Sequence, residues 1–208
     1  RKNPIIKINK FLDEKSLKKI KKILPKLKFK TVYQERKEHF SHVFKFNNSK
    51  WPSKKEKWSA RFGVAINNEQ KRKVVDEIFY NHIVKEIKKR SNNKIKYFLY
   101  PNIYKIKAGD FFRCHYDQFA GTVGYTLFFS TDWKWDYGGI LHFLDKNLKP
   151  EAFFPEDNIL LIRNEKKPLL HYVTQVPKYV ESSHYLILGW AKSKPGKKSK
   201  FRGEYLKL

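Results

Sequence analysis

The stretch "FFRCHYDQFAG" (111–121) places His115 and Asp117 two residues apart. Alternate residues of an extended strand share a face. Phe111, Arg113, His115 and Asp117 are therefore expected on one side, with Cys114 and Tyr116 on the other. An imidazole and a carboxylate on one face can reach a common ion. Joined by a distant second histidine, they fill one triangular face of an octahedron and leave the opposite positions open. This is the two-histidine, one-carboxylate geometry of non-haem Fe(II) sites. On its own His-x-Asp is a weak signal, because a half-buried structural pair has the same spelling. Two downstream histidines compete for the third position: His142 in "GGILHF" and His171 in "LLHYVTQV".

The elements around this pair are short and apolar. From residue 95 the chain runs through "IKYFLY", "NIYKIKA", "FFRCHYD", "TVGYTLFFS", "GILHFLD", "NILLIR", "LHYVTQV" and "HYLILGW", broken by Gly, Asn, Asp and Pro. Eight short strands at regular spacing predict a closed or sandwiched β architecture. Helices come earlier. Leu17, Ile20, Leu24 and Leu27 recur at helical spacing within 11–27, with Asp13 as N-cap and Pro25 as a stop. Residues 67–90 predict a second helix, capped by Asn68, with Val75, Phe79, His82 or Ile83, and Ile87 as its apolar stripe. His82 reads as a packed histidine. Residues 28–58 read as strand pieces and loops, and the tail "KSKPGKKSKFRGEYLKL" as an exposed basic extension. No internal repeat is present.

The bulk composition sets limits. At 208 residues, 40% hydrophobic and 16% aromatic, the chain can build one cored domain. The start "RKNPIIKINKFLDEK" has no apolar h-region, and no apolar run approaches a membrane span. The chain has no methionine, so whether sequence precedes Arg1, and with it a removed leader, is left open. A single cysteine, Cys114, excludes intramolecular disulfides and CxxC motifs. The expected compartment is reducing, hence cytoplasmic. The net charge of +26 attracts polyanions. Lysine, spread along the whole chain, outnumbers arginine. Dedicated nucleic-acid readers favour arginine, so a lysine-rich proteome is the favoured explanation over a nucleic-acid partner.

Motif order sharpens the first stretch. Gly109 precedes His115 by six residues. "VGYTLFFSTDWKWDYGGILHF" (123–143) supplies a strand, a Trp-rich turn and a Gly-Gly-x-Leu strand start. "FFPEDNILLIRNEKKPLLHYVTQV" leads into His171, and "HYLILGWA" ends in Gly-Trp. In this order, residues 95–193 resemble the 2-oxoglutarate/Fe(II)-dependent oxygenases of the prolyl-hydroxylase-like group. The resemblance implies a double-stranded β-helix (jelly roll), mainly β, buttressed by N-terminal helices. It divides one oxygenase domain of 1–208 into a helical and mixed support (1–94), the β-helix core (95–193) and the basic tail (194–208). It implies that His115, Asp117 and His171 bind Fe(II), that 2-oxoglutarate is the cosubstrate, and that ascorbate is an auxiliary the family allows. Gly138 and Gly139 are expected to serve the turn before the Gly-Gly-x-Leu strand. With its carboxylate present, Asp117 favours hydroxylation over the halogenation of relatives that lack it.

Two features depart from the family pattern. The family places Arg or Lys six residues before the last Trp to pair with the distal carboxylate of 2-oxoglutarate, and here His184 stands there. A guanidinium makes two charge-assisted bonds to a carboxylate, whereas an imidazole makes one. His184 is the leading candidate for this contact, helped by Ser183 or Tyr104. Arg113, Arg163 and Arg61 are the alternative cations. The family's tyrosines before the first metal histidine are replaced by Phe112, Ile106 and Lys105, with Tyr104 as a shifted equivalent.

These observations predict a dioxygenase that hydroxylates a C–H bond of a protein residue, prolyl-like, or of a small amino-acid-type substrate, releasing succinate and CO2. A degenerate barrel that binds nucleic acid or an acidic partner without catalysis is the alternative. A cupin-like metal enzyme is the third reading. Substrate and oligomeric state are not legible in the sequence.

Overall fold

The computed structural model describes residues 4–37, 44–46, 49–51, 57–66, 69–115, 117, 123–145, 147–164, 169–195 and 205–208. Strand β1 (Ile5–Ile8) leads into helix α1 (Glu14–Ile23). Asp13 caps α1 as the sequence predicts, its Oδ1 accepting the Ser16 N–H at 2.9 Å. Pro25 sits in the 3-10 turn Leu24–Lys26 that closes the helix. Strands β2 (Phe29–Lys37), β3 (Phe44–Phe46), β4 (Ser49–Trp51) and β5 (Lys57–Ala65) follow.

The second helical region is α2 (Glu69–Ile78), a π-helical stretch (Phe79–Val84) and α3 (Lys85–Arg90). Its predicted cap, Asn68, lies outside the described residues. The apolar stripe Val75, Phe79, Ile83 and Ile87 repeats every four residues, longer than the 3.6 of an α-helix. The wider π turn takes up that excess and holds all four on one face. They are 0%, 0%, 0% and 2% exposed. No helix among the described residues is long and apolar enough to cross a membrane.

All eight β segments are present. They are β6 (Tyr97–Leu99), β7 (Asn102–Ile106), β8 (Phe111–His115), β9 (Val123–Phe129), β10 (Leu141–Leu144), β12 (Ile159–Asn164), β13 (Leu170–Val173) and β14 (His184–Lys192), with β11 (Pro150–Phe153) added between β10 and β12. The sequence does not predict β1, β11 or β15 (Tyr205–Lys207). β1 and β15 use long-range pairing that short segments cannot signal: β1 lies against β12, and β15 against β6 inside the expected tail.

One antiparallel wall runs β12-β9-β14-β7, and a second runs β8-β13-β10-β11. β5 joins them by pairing both β7 and β8, and β2 flanks β5. The sheet thus curls into a double-stranded β-helix. Alternation on β9 divides its side chains. Tyr125, Leu127 and Phe129 pack with Ile20, Phe79 and Ile83 of the helices. Thr126 and Phe128 face a cavity between the walls. Gly189 permits this packing, because a Cβ there would sit 2.3 Å from the Tyr125 hydroxyl.

Candidate metal centre

His115 ends β8 and His171 lies directly opposite it on β13. Their ring centroids are 4.3 Å apart. Each ring is fixed in the same way: His115 Nδ1 lies 2.8 Å from the Arg113 carbonyl and His171 Nδ1 2.8 Å from the Leu169 carbonyl. A carbonyl only accepts, so each Nδ1 carries the proton and each Nε2 keeps its lone pair. Asp117 completes the group, with Oδ1 3.8 Å from His115 Nε2 and Oδ2 3.6 Å from His171 Nε2. One ligand atom from each of the three lies within 4.8 Å of the others. Two imidazole lone pairs and a carboxylate, converging with their other nitrogens already tied down, suit a divalent transition metal.

Burial keeps the centre in its metal-competent form. His171 is buried, and loss of solvent, with His115 and Arg163 nearby, pushes its pKa down to about 3 against the opposing pull of Asp117. Arg163 reaches the same carboxylate, its Nη2 3.4 Å from Asp117 Oδ2, while its guanidinium lies over the Phe143 ring. The sequence names Arg163 only as a spare cation. A stronger signal was there: Ile159, Leu161 and Arg163 share a face of a strand buried on both sides, where a charge requires a partner.

The three residues line one end of a cavity of about 720 Å³ that also reaches His184, Tyr104, Leu186, Leu188 and Trp190. On β14 the cavity-facing residues descend from Trp190 to His184. Trp190 pairs across β9 with Gly124, which lies opposite Arg163, so the metal end is at Trp190 and His184 marks the inner end. His184 is 0% exposed, and neither ring nitrogen has a hydrogen-bond partner. Trp133 meets its ring edge-on at 4.6 Å. Gly138 and Gly139 turn with φ of 63° and 66°. A Cβ on Gly139 would lie 2.9 Å from His184 Nε2, so the bare backbone makes room for the imidazole. Tyr104 lines the cavity and its ring lies tilted against Phe62, with centroids 4.7 Å apart.

Other candidates lie elsewhere. Arg113 is exposed and borders an outer groove with Cys114 and Tyr172. Strict alternation predicts it beside His115, but the strand pair carries a β-bulge. Phe112 pairs Val173 and His115 pairs His171, so three residues of β8 span what two cover on β13. Phe112 and His115 thus share the cavity, and Arg113 is turned out. Cys114 borders the outer groove, and burial raises its thiol pKa to about 12. Tyr116 lies outside the described residues. Ser183 precedes β14 and is not part of the cavity wall. Arg61 is bound to the Ala108 carbonyl and to the buried Asp110, at 3.0 and 2.7 Å. His142 stacks flat on Tyr172, away from the cavity. Of the two tryptophans of the turn, Trp133 packs inside, while Trp135 is 71% exposed against Phe154.

The fold is that of the 2-oxoglutarate/Fe(II) oxygenases and prolyl hydroxylases. An oxidoreductase of the 2OG-Fe(II) oxygenase family from Burkholderia pseudomallei is similar with a TM-score of 0.62 at 11% identity, over 93% of this chain and 87% of that one. A Trichoplax adhaerens prolyl hydroxylase, solved with a hypoxia inducible factor peptide fragment, gives 0.63 at 14%, over 91% and 84%. A Pseudomonas putida prolyl-4-hydroxylase gives 0.56 at 13%, over 91% and 92%. No protein-family model and no curated protein matches the chain.

Proposed function

We propose that the protein is an Fe(II)- and 2-oxoglutarate-dependent hydroxylase. The observation that carries this reading is the convergence of His115 Nε2, His171 Nε2 and Asp117 at one end of a cavity, in the fold of such enzymes. These three residues would hold the iron. When bound, it supplies the activation of dioxygen that couples decarboxylation of 2-oxoglutarate to oxidation of a C–H bond, giving succinate, CO2 and an alcohol.

The chain's own groups hold and shield this chemistry. The Arg113 and Leu169 carbonyls fix the two imidazoles in the Nε2-binding tautomer. Arg163 orients the Asp117 carboxylate. Phe112 and Phe143 pack against the two histidine rings and exclude water from one side. Leu186, Leu188 and Trp190 form the opposite wall, and His184 receives the far end of the cosubstrate. The substrate is a residue of a protein or peptide. The cavity reaches the surface at Tyr33, Gln34 and Glu35 of β2, an exposed edge strand, and the Trichoplax relative was solved with a peptide. A small amino-acid-type molecule is the second choice.

The test is succinate release. Protein loaded with Fe(II) is expected to convert 2-oxoglutarate to succinate on exposure to oxygen, and to do so faster with an accepted peptide. No succinate with any of a broad peptide and amino-acid set would leave the non-catalytic barrel as the better reading.

A further inference from the structure

The inner end of the cavity is electrically neutral. With Val176 beside Gly139, the element packing brings Phe128 of β9 and Trp133 and Gly139 of the turn against His184. Its partner across β7 is Ile106. None of these carries a charge. The nearest titratable groups on the elements packed here are Tyr104, one cavity-facing position along β7, and Tyr137, on the far side of Trp133. Asp110, whose backbone bonds Val176, has its carboxylate already paired with Arg61. The charged residues of the same cavity wall are Asp117 and Arg163, at the metal end, and Glu35, exposed at the surface. A fully buried imidazole with two unmet nitrogens is unfavourable on its own, and it faces a chamber large enough for a ligand. Resting on the hydroxylase reading, the geometry points to His184 as a proton-coupled subsite: the distal carboxylate of 2-oxoglutarate binds there only together with one proton taken from solvent.

The proton balance follows from the surroundings. A bare carboxylate beside a neutral imidazole would be a buried charge without a counter-charge, which a dry site disfavours strongly. One added proton removes the problem in either of two forms, imidazolium with carboxylate or imidazole with carboxylic acid. Both have zero net charge and one hydrogen bond between the groups. Free His184 is neutral near pH 7, since burial alone pushes its pKa down to about 3, and the free carboxylate is ionised. The proton therefore comes from water. Between pH 6 and 8, 2-oxoglutarate binding is expected to weaken by about tenfold per pH unit. A 2-oxo acid of equal length with an uncharged tail, 2-oxovalerate, has the same head and no such dependence. A lysine or arginine in that place would bring its own charge and take up no proton.

Calorimetry on the anaerobic Fe(II) protein tests this without turnover. Binding heats are measured from pH 6 to 8 in two buffers of low and high ionisation enthalpy, with 2-oxoglutarate and with 2-oxovalerate. Uptake of close to one proton for 2-oxoglutarate in excess of that for 2-oxovalerate is expected. In His184→Arg that excess should vanish and the pH slope flatten. The wild-type comparison decides the matter even where that variant does not fold. Equal proton uptake for the two ligands overturns the proton-coupled subsite and leaves the hydroxylase reading standing. Binding of neither ligand at any pH overturns the hydroxylase reading, and the subsite with it.

Discussion

His115 and His171 face each other across the β8–β13 ladder, and each points its Nδ1 at the carbonyl two residues before it. The symmetry has a physical cause. Two histidines in register on paired strands have their rings side by side, and only outward-tied Nδ1 atoms leave both Nε2 lone pairs aimed at one point. Asp117 closes the triangle, and Arg163 holds Asp117.

That last contact gives a first prediction. Arg163 and Asp117 side chains are 4% and 10% exposed at 3.4 Å. Breaking a buried pair leaves the remaining charge uncompensated, at roughly 3 kcal/mol. Arg163→Met should lower unfolding free energy by about that amount and weaken metal binding by about 10- to 100-fold. Denaturant unfolding and metal titration measure the two effects. A variant with wild-type values for both would show that Arg163 does not position Asp117.

His184 makes the ligand-free protein acid-sensitive. Its folded pKa is about 3, against about 6.5 for a histidine in the unfolded chain. Below pH 6.5 the unfolded chain therefore binds a proton that the folded one refuses. Stability falls as pH drops from about 6.5 toward 3, by up to about 1.4 kcal/mol per pH unit. Between pH 6.5 and 4.5, His184→Gln should be flatter than wild type by roughly 2 kcal/mol in chemical denaturation. Parallel curves would mean that His184 is already paired in the folded protein.

Arg61 belongs to the frame rather than to the cavity. It is the ion-pair partner of Asp110, which is 0% exposed and whose carboxyl burial raises in pKa, partly offset by the Lys107 N–H and by Arg61. Arg61→Ala should cost roughly 2–4 kcal/mol of stability and leave 2-oxo acid affinity in the surviving folded protein unchanged. A large affinity loss at full stability would return Arg61 to the list of cosubstrate cations.

Much of the fold is legible in the sequence. Short apolar segments broken by Gly, Asn, Asp and Pro mark every core strand from β6 to β14 except β11. The order Gly109, His-x-Asp, Gly-Gly-x-Leu, His171 and Gly-Trp carries the family resemblance that points to His115, Asp117 and His171 as candidate metal ligands. Arg113 departs from strict alternation because a bulge adds one residue to one strand, and single-strand alternation cannot reveal a two-strand event. β1 and β15 were missed because four- and three-residue segments owe their conformation to distant partners. The π stretch has a sequence mark, the period-four stripe Val75, Phe79, Ile83 and Ile87. The neutrality around His184 is a tertiary property, set where β9 and the turn of Trp133 and Gly139 meet β14.

Anaerobic titration of the protein with Fe(II) and 2-oxoglutarate tests the iron site most directly. The expected result is a visible metal-to-ligand charge-transfer band that saturates at one iron per chain. His115→Ala, Asp117→Ala and His171→Ala should each abolish or greatly weaken it while the fold persists by circular dichroism. Absence of the band in the folded wild-type protein, or its survival unchanged in all three variants, would contradict the assignment of His115, Asp117 and His171 as the iron ligands.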